Sequence, residues 1–243
     1  SHQGHPTRSK SKETLPDYSQ RLQEGFRGFK QWMDSNKFAV TVFVIADQCE
    51  NAKFVSTVQD LVATFGERIT IGCHGLTHRS WSAWSEDTER FSRDLEQATT
   101  ILKKHFPNSF RPWFRAPAGY ISDWMAPILS QQAYTVDTSV NPSWLVRKKS
   151  SPSRAMVLES MASNGILERQ WKTRFSLPTC GPAQHIMGLR WNARQAWKGL
   201  PKPLGIEDLH CIEHPEHELT TVYWHILDHS RKNQQWLPPI KGV

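Results

Sequence analysis

Apolar and polar positions alternate along the chain in two rhythms, and the change of rhythm marks out its elements. After a polar, basic stretch from Ser1 to Leu15, read as an arm, Leu22, Phe26, Phe29 and Trp32 recur in steps of three and four. That spacing predicts a helix with one apolar face, capped by Asp17 or Ser19. Lys37 to Ala46 is a continuous β-branched and aromatic run, the pattern of a strand buried on both faces in a parallel sheet. Asn51 to Gly66 reads as the next helix, ended by its glycine, and Arg68 to Cys73 as the next strand. A long amphipathic helix is predicted from near Ser85 to Phe106 and is stopped by Pro107.

Phe110 to Phe114 then reads as a strand, Ser122 to Gln131 as a helix and Ala133 to Val140 as a strand. Ser143 to Met161 reads as a loop with a short helix, and Ile166 to Phe175 as a strand. A helix is expected around Gln184 to Trp197, a strand at Leu209 to His214, a last helix at Glu218 to His229, and a loose tail after Leu237. No internal repeat or linker interrupts this order. Strands alternating with helices over 243 residues imply a single α/β domain, residues 1–243, with a mostly parallel sheet or barrel.

Composition narrows the class. Hydrophobic residues make up 38% and charged residues 22%, an ordinary globular mix. A net charge of +7 and a pI near 9.3 favour an anionic partner. The basic residues form no long tract, so nucleic acid is not the expected partner. Eleven tryptophans suit a packed core and also suit stacking on sugar rings. Cys49, Cys73, Cys180 and Cys211 are widely spaced, which reads as free thiols in a reducing, cytoplasmic setting. No apolar run is long enough to span a membrane. Nothing here sets the oligomeric state.

Polar side chains at predicted strand ends carry the chemistry. His74 and His78 lie four apart after the Arg68 to Cys73 strand, a spacing that lets both face one metal ion on a helical turn. Arg115 follows the Phe110 strand, Asp137 lies late in the next, and His214 ends the Leu209 strand. Parallel α/β folds bring such ends to one face. Each alone reads more readily as a cap, an ion pair or a satisfied core histidine than as a catalytic group; their agreement points to a site.

His74-Gly75-Leu76-Thr77-His78 resembles the histidine motif of polysaccharide deacetylases, the NodB-homology or carbohydrate esterase group. Phe114 to Tyr120, F-R-A-P-A-G-Y, is similar to that family's R-x-P-x-G-Y segment. Val136 to Ser139 resembles its Asp-bearing strand, and Leu209 to Pro215 its late strand ending in a catalytic histidine, in the form found in surface-polysaccharide (O-antigen) clusters. The resemblance implies a distorted (β/α)7 barrel and a bacterial hydrolase removing acetyl groups from N- or O-acetylated sugars. It implies a divalent metal, zinc first, held by His74 and His78. It further implies His214 as the acid for the leaving group, Asp137 as the group that raises the His214 pKa, and Arg115 as an orienting cation. The Tyr120 N–H would serve the oxyanion, and Trp113, Pro117 and Leu209 would line the acyl pocket.

The chain departs from this family at its start. The family opens on a buried strand ending T-F-D-D-G, and the nearest echo here is Thr14-Leu15-Pro16-Asp17-Tyr18. Asp17 would match the metal-binding Asp, and Pro16 stands where the base would be. Three explanations compete: a first strand lying outside this sequence, a glycan-binding protein that does not hydrolyse, or another carboxylate such as Asp47 entering the site.

Overall fold

The computed structural model of the protein describes residues 18–231 and 237. Its main sheet has five parallel strands: Val40–Val44 (β1), Ile69–Cys73 (β2), Phe110–Phe114 (β3), Val136–Asp137 and Leu167–Glu168. They lie side by side in chain order. Stepping always in one direction is the winding of a barrel rather than of a doubly wound sheet. Among the described residues the barrel does not close, since β1 pairs only with β2 and Leu167–Glu168 only with Val136–Asp137. The α/β class and the parallel sheet agree with the sequence reading; closure does not appear.

Among the described residues the six α-helices are Gln20–Asp34 (α1), Ala52–Phe65 (α2), Thr88–His105 (α3), Met125–Gln131 (α4), Arg154–Ser163 (α5) and Met187–Lys198 (α6). Their starts are set locally: Ser19, Asn51, Asp87 and Ser153 each accept a backbone N–H of the first turn. Gly66 ends α2 at φ +57°, a conformation that costs glycine little. Phe54, Val58 and Leu61 of α2, with Phe91, Leu95 and Leu102 of α3, bury their apolar stripes in the same core as β2, whose five residues are all buried.

β1 departs from expectation. It is half-buried rather than enclosed on both faces. One of its edges has no strand partner among the described residues, and Val40 to Val44 front a cavity. α1 packs across this open side against the segment Ile226–Ser230. Its Gly25 and Gly28 let the two backbones touch, since a Cβ there would stand 2.7 Å from the Ile226 carbonyl oxygen and 2.6 Å from that of His229.

The C-terminal third departs more. Leu209–Glu213 is a short 3-10 helix, not a strand. The guanidinium of Arg169 donates to the carbonyls of Cys211, Ile212, His214 and His217, which rolls this stretch into a loop and removes those carbonyls from any strand ladder. The helix expected over 218–229 is instead largely irregular, with a 3-10 turn at Ile226–Ser230. Thr221 forms a parallel bridge with Trp171, and its carbonyl accepts from the Lys172 N–H. The β-branched pair Thr221-Val222 suits that extended pairing.

Candidate functional site

The parallel ladder runs one residue past the strands. His74 N–H donates to Val44 O at 2.8 Å, Arg115 N–H to Cys73 O at 3.0 Å, Thr138 N–H to Phe114 O at 3.0 Å, and Arg169 N–H to Asp137 O at 2.8 Å. Four consecutive strands therefore place His74, Arg115, Thr138 and Arg169 in a row at their C-terminal ends. All four, with His78, line one cavity of about 980 Å³. β1, Trp113, Lys149, Leu209, Tyr223, Trp224 and His225 complete much of its wall.

No helical turn holds the two histidines. Residues 74–79 are irregular, and Gly75 turns the chain at φ +81°, where any Cβ would approach Thr77 O to 3.1 Å. The rings of His74 and His78 nonetheless come to 5.3 Å between centroids. His74 Nδ1 lies 2.7 Å from the carbonyl oxygen of Arg115. A carbonyl only accepts, so Nδ1 carries the hydrogen and Nε2 keeps its lone pair. Burial, then His78 and Arg115, hold the His74 pKa well below 6.5, so the ring is neutral at physiological pH. A neutral imidazole whose far nitrogen is anchored to a carbonyl is the donor a divalent metal requires. The donor chemistry thus fits two ligands of a metal. Among the described residues no third His, Cys, Asp or Glu completes a group with them.

Arg115 is buried with its guanidinium 3.5 Å from the Tyr223 ring centroid and 4.4 Å from that of Trp171. Asp137 is fully buried and accepts from the N–H and the Oγ of Ser139 at 2.9 and 2.7 Å. Ser139 Oγ accepts in turn from Ala116 N–H at 2.8 Å. Asp137 therefore braces the 115–117 turn through Ser139. Glu168 packs against it, and its Oε1 accepts Val140 N–H at 3.1 Å. Burial raises both carboxyl pKa values; Asp137 pushes that of Glu168 well above 4.5, while a hydrogen bond from Glu168 moderates the rise at Asp137. The larger upward shift falls on Glu168, so of the two it is Glu168 that burial keeps protonated more readily.

Trp113 and Leu209 line the cavity as expected positions for substrate contact. Pro117 packs against Gly75 instead. The Tyr120 N–H already donates to Pro117 O at 3.2 Å. Asp47 sits beside the histidine turn, its N–H on Leu76 O at 2.9 Å. Asp17 lies outside the described residues. His214 is not brought to His74: its side chain is 53% exposed and its Nδ1 lies 2.9 Å from Glu216 Oε1. The expected Asp137–His214 pairing is not built, because the stretch carrying His214 is a loop around Arg169 and no sixth strand.

Two residues with functional character were not legible as such. Glu168 ends a strand in Leu167-Glu168-Arg169, the same signal that marked Arg115 and Asp137. His225 faces the cavity that holds His74, with Nδ1 3.8 Å from Asp228 Oδ2. Its backbone N–H donates to the same carboxylate at 3.0 Å. The H-x-x-D spacing was its only mark, and it sat inside an apparent helix.

Residues 17–136 match the family model of polysaccharide deacetylases. No curated protein matches the chain. Its fold is similar to the crystal structure of a Mycobacterium smegmatis protein that carries the polysaccharide deacetylase name. The TM-score is 0.56 and the identity 13%, over 88% of this chain and 68% of that one. The family match supports a hydrolase of the deacetylase type, and the structural likeness supports an α/β, barrel-like fold. No helix among the described residues is long and apolar enough to cross a membrane.

Proposed function

We propose that the protein is a metal-dependent deacetylase acting on N- or O-acetylated sugars, with a bacterial surface polysaccharide as its substrate. The observation that carries this is the His74–His78 pair, with His74 Nδ1 anchored to Arg115 O, in the wall of a large cavity at the sheet's C-terminal end. His74 and His78 would hold a divalent ion, zinc first, which when bound polarises an acetyl carbonyl and makes its water acidic. Arg115 keeps the His74 ring in its ligand tautomer through its carbonyl. Its guanidinium and Lys149 make that side of the cavity cationic, which suits an anionic glycan. Trp113, Tyr223 and Trp224 line the cavity with aromatic surface, which suits a sugar substrate. His225, steadied by Asp228, takes the proton-donating role that the resemblance assigned to His214.

Acetate release from acetylated chito-oligosaccharides, measured with added zinc or cobalt, tests the reading. Turnover is expected in the parent chain. His74→Ala and His78→Ala should lose both turnover and retained metal, and His225→Ala should lower kcat about 10²-fold or more with the metal retained. His214→Ala should leave turnover unchanged. A second reading, glycan binding without hydrolysis, is favoured by the lack of a third ligand among the described residues. Glycan binding that survives EDTA, with no acetate released and no metal retained, would establish that reading instead.

A further inference from the structure

Outside the cavity the loop of residues 207–217 gathers three imidazoles and a thiol. The ring centroids of His210, His214 and His217 lie 6.0 to 6.2 Å apart, every pair edge-on. One ligand atom from each of His210, Cys211 and His217 falls within 4.8 Å of the others. We propose that His210, Cys211 and His217 form a second transition-metal site, of the zinc class, with the neighbouring His214 or water in the fourth position.

Three features argue for a built site rather than a chance gathering. The first is tautomer. His210 Nδ1 lies 2.9 Å from the carbonyl oxygen of Glu207, so its hydrogen is committed there and Nε2 keeps the lone pair. His214 Nδ1 is held in the same way by Glu216 Oε1 at 2.9 Å. The second is spacing. His210 Nε2 stands 3.6 Å from Cys211 Sγ. With zinc–nitrogen and zinc–sulfur bonds of about 2.05 and 2.3 Å, tetrahedral geometry puts N and S about 3.6 Å apart. The third is preorganisation. Arg169 gathers the carbonyls of Cys211, Ile212, His214 and His217 on one guanidinium at 2.6 to 3.0 Å. The backbone therefore faces inward, and the side chains of the ligand residues are turned out together toward solvent. The chemistry also selects: one thiolate with imidazoles suits zinc, cobalt or copper over magnesium or calcium.

The other such group among the described residues, His185, His225 and Asp228, has its carboxylate engaged. Its carboxylate already caps the Ile226–Ser230 turn and lies 3.9 Å from Arg231 Nε. A metal at 210–217 would tie down the loop whose Leu209 and Ile212 wall the cavity. Glu213 of the same loop accepts from Trp113 Nε1 at 2.7 Å.

Cobalt titration of the full chain carrying His74→Ala and His78→Ala tests this apart from the proposed activity. The expected result is one bound equivalent with a near-ultraviolet thiolate-to-cobalt charge-transfer band. Adding Cys211→Ser should abolish the band. Adding His217→Ala, with far-ultraviolet circular dichroism unchanged, should weaken cobalt binding at least about tenfold. No charge-transfer band in the His74/His78 variant would overturn the proposal, as would a band that survives Cys211→Ser. In either case the Cys211–His210 contact is a weak S–H···N hydrogen bond only.

Discussion

His229 offers a way to test whether the open side of the sheet is held shut as described. Its Nε2 accepts the Trp224 indole N–H at 2.8 Å, and its ring meets Phe29 and Trp32 of α1 edge-on at 5.3 and 5.7 Å. Burial pulls its pKa from 6.5 down to about 4, with Asp228 opposing. A histidine with a lowered folded pKa is neutral in the fold, while the unfolded chain takes up a proton below about pH 6.5. Stability is therefore complete above that pH and is lost as pH falls toward about 4. At 1.36 kcal/mol per unit, about 2.5 units make at most about 3.4 kcal/mol, of which about 2.6 is gone by about pH 4.5.

His229→Leu abolishes this titration but strands the Trp224 N–H, costing roughly 1–3 kcal/mol at neutral pH. Urea unfolding followed by tryptophan fluorescence at about pH 7.5 and 4.5 should show the variant weaker at the higher pH and equal to or stronger than the parent at the lower. The other lowered histidines act on both proteins alike, so the difference isolates His229. A gap of the same size at both pH values would refute the reasoning. Because Trp224 to Leu227 wall the cavity, turnover should fall over the same acid range in the parent.

Glu168→Gln should flatten stability in the other direction. A carboxyl whose folded pKa is raised contributes fully below its unfolded pKa and loses that contribution as pH rises through the folded one. The variant's urea midpoint should therefore overtake the parent's on the alkaline side. Gly25→Ala should destabilise by about 1–3 kcal/mol in the same assay, although alanine is the better helix former by about 1 kcal/mol. The new Cβ would meet the Ile226 carbonyl oxygen at 2.7 Å.

The first half of the chain could be read almost residue by residue because its elements are determined locally. Phe110–Phe114 fell where the apolar run put it, and α2 began on Asn51 and ended on Gly66. Period, caps and the rule that parallel strands align their C-terminal ends were enough to place His74, Arg115 and Asp137 together near one end of the sheet. The later elements are short, two-residue strands whose pairing depends on distant partners, and there local pattern misled. Leu209 to His214 has the apolar content of a strand, yet three of its carbonyls, with that of His217, answer to one guanidinium from residue 169. Hydrophobic periodicity and capping chemistry are written in consecutive residues, so the sequence by itself determined the α/β alternation and the histidine pair. Which imidazole shares the cavity with that pair, His225 rather than His214, depended on how a buried cation and a sheet edge open among the described residues draw in remote chain, and only the tertiary structure decided it.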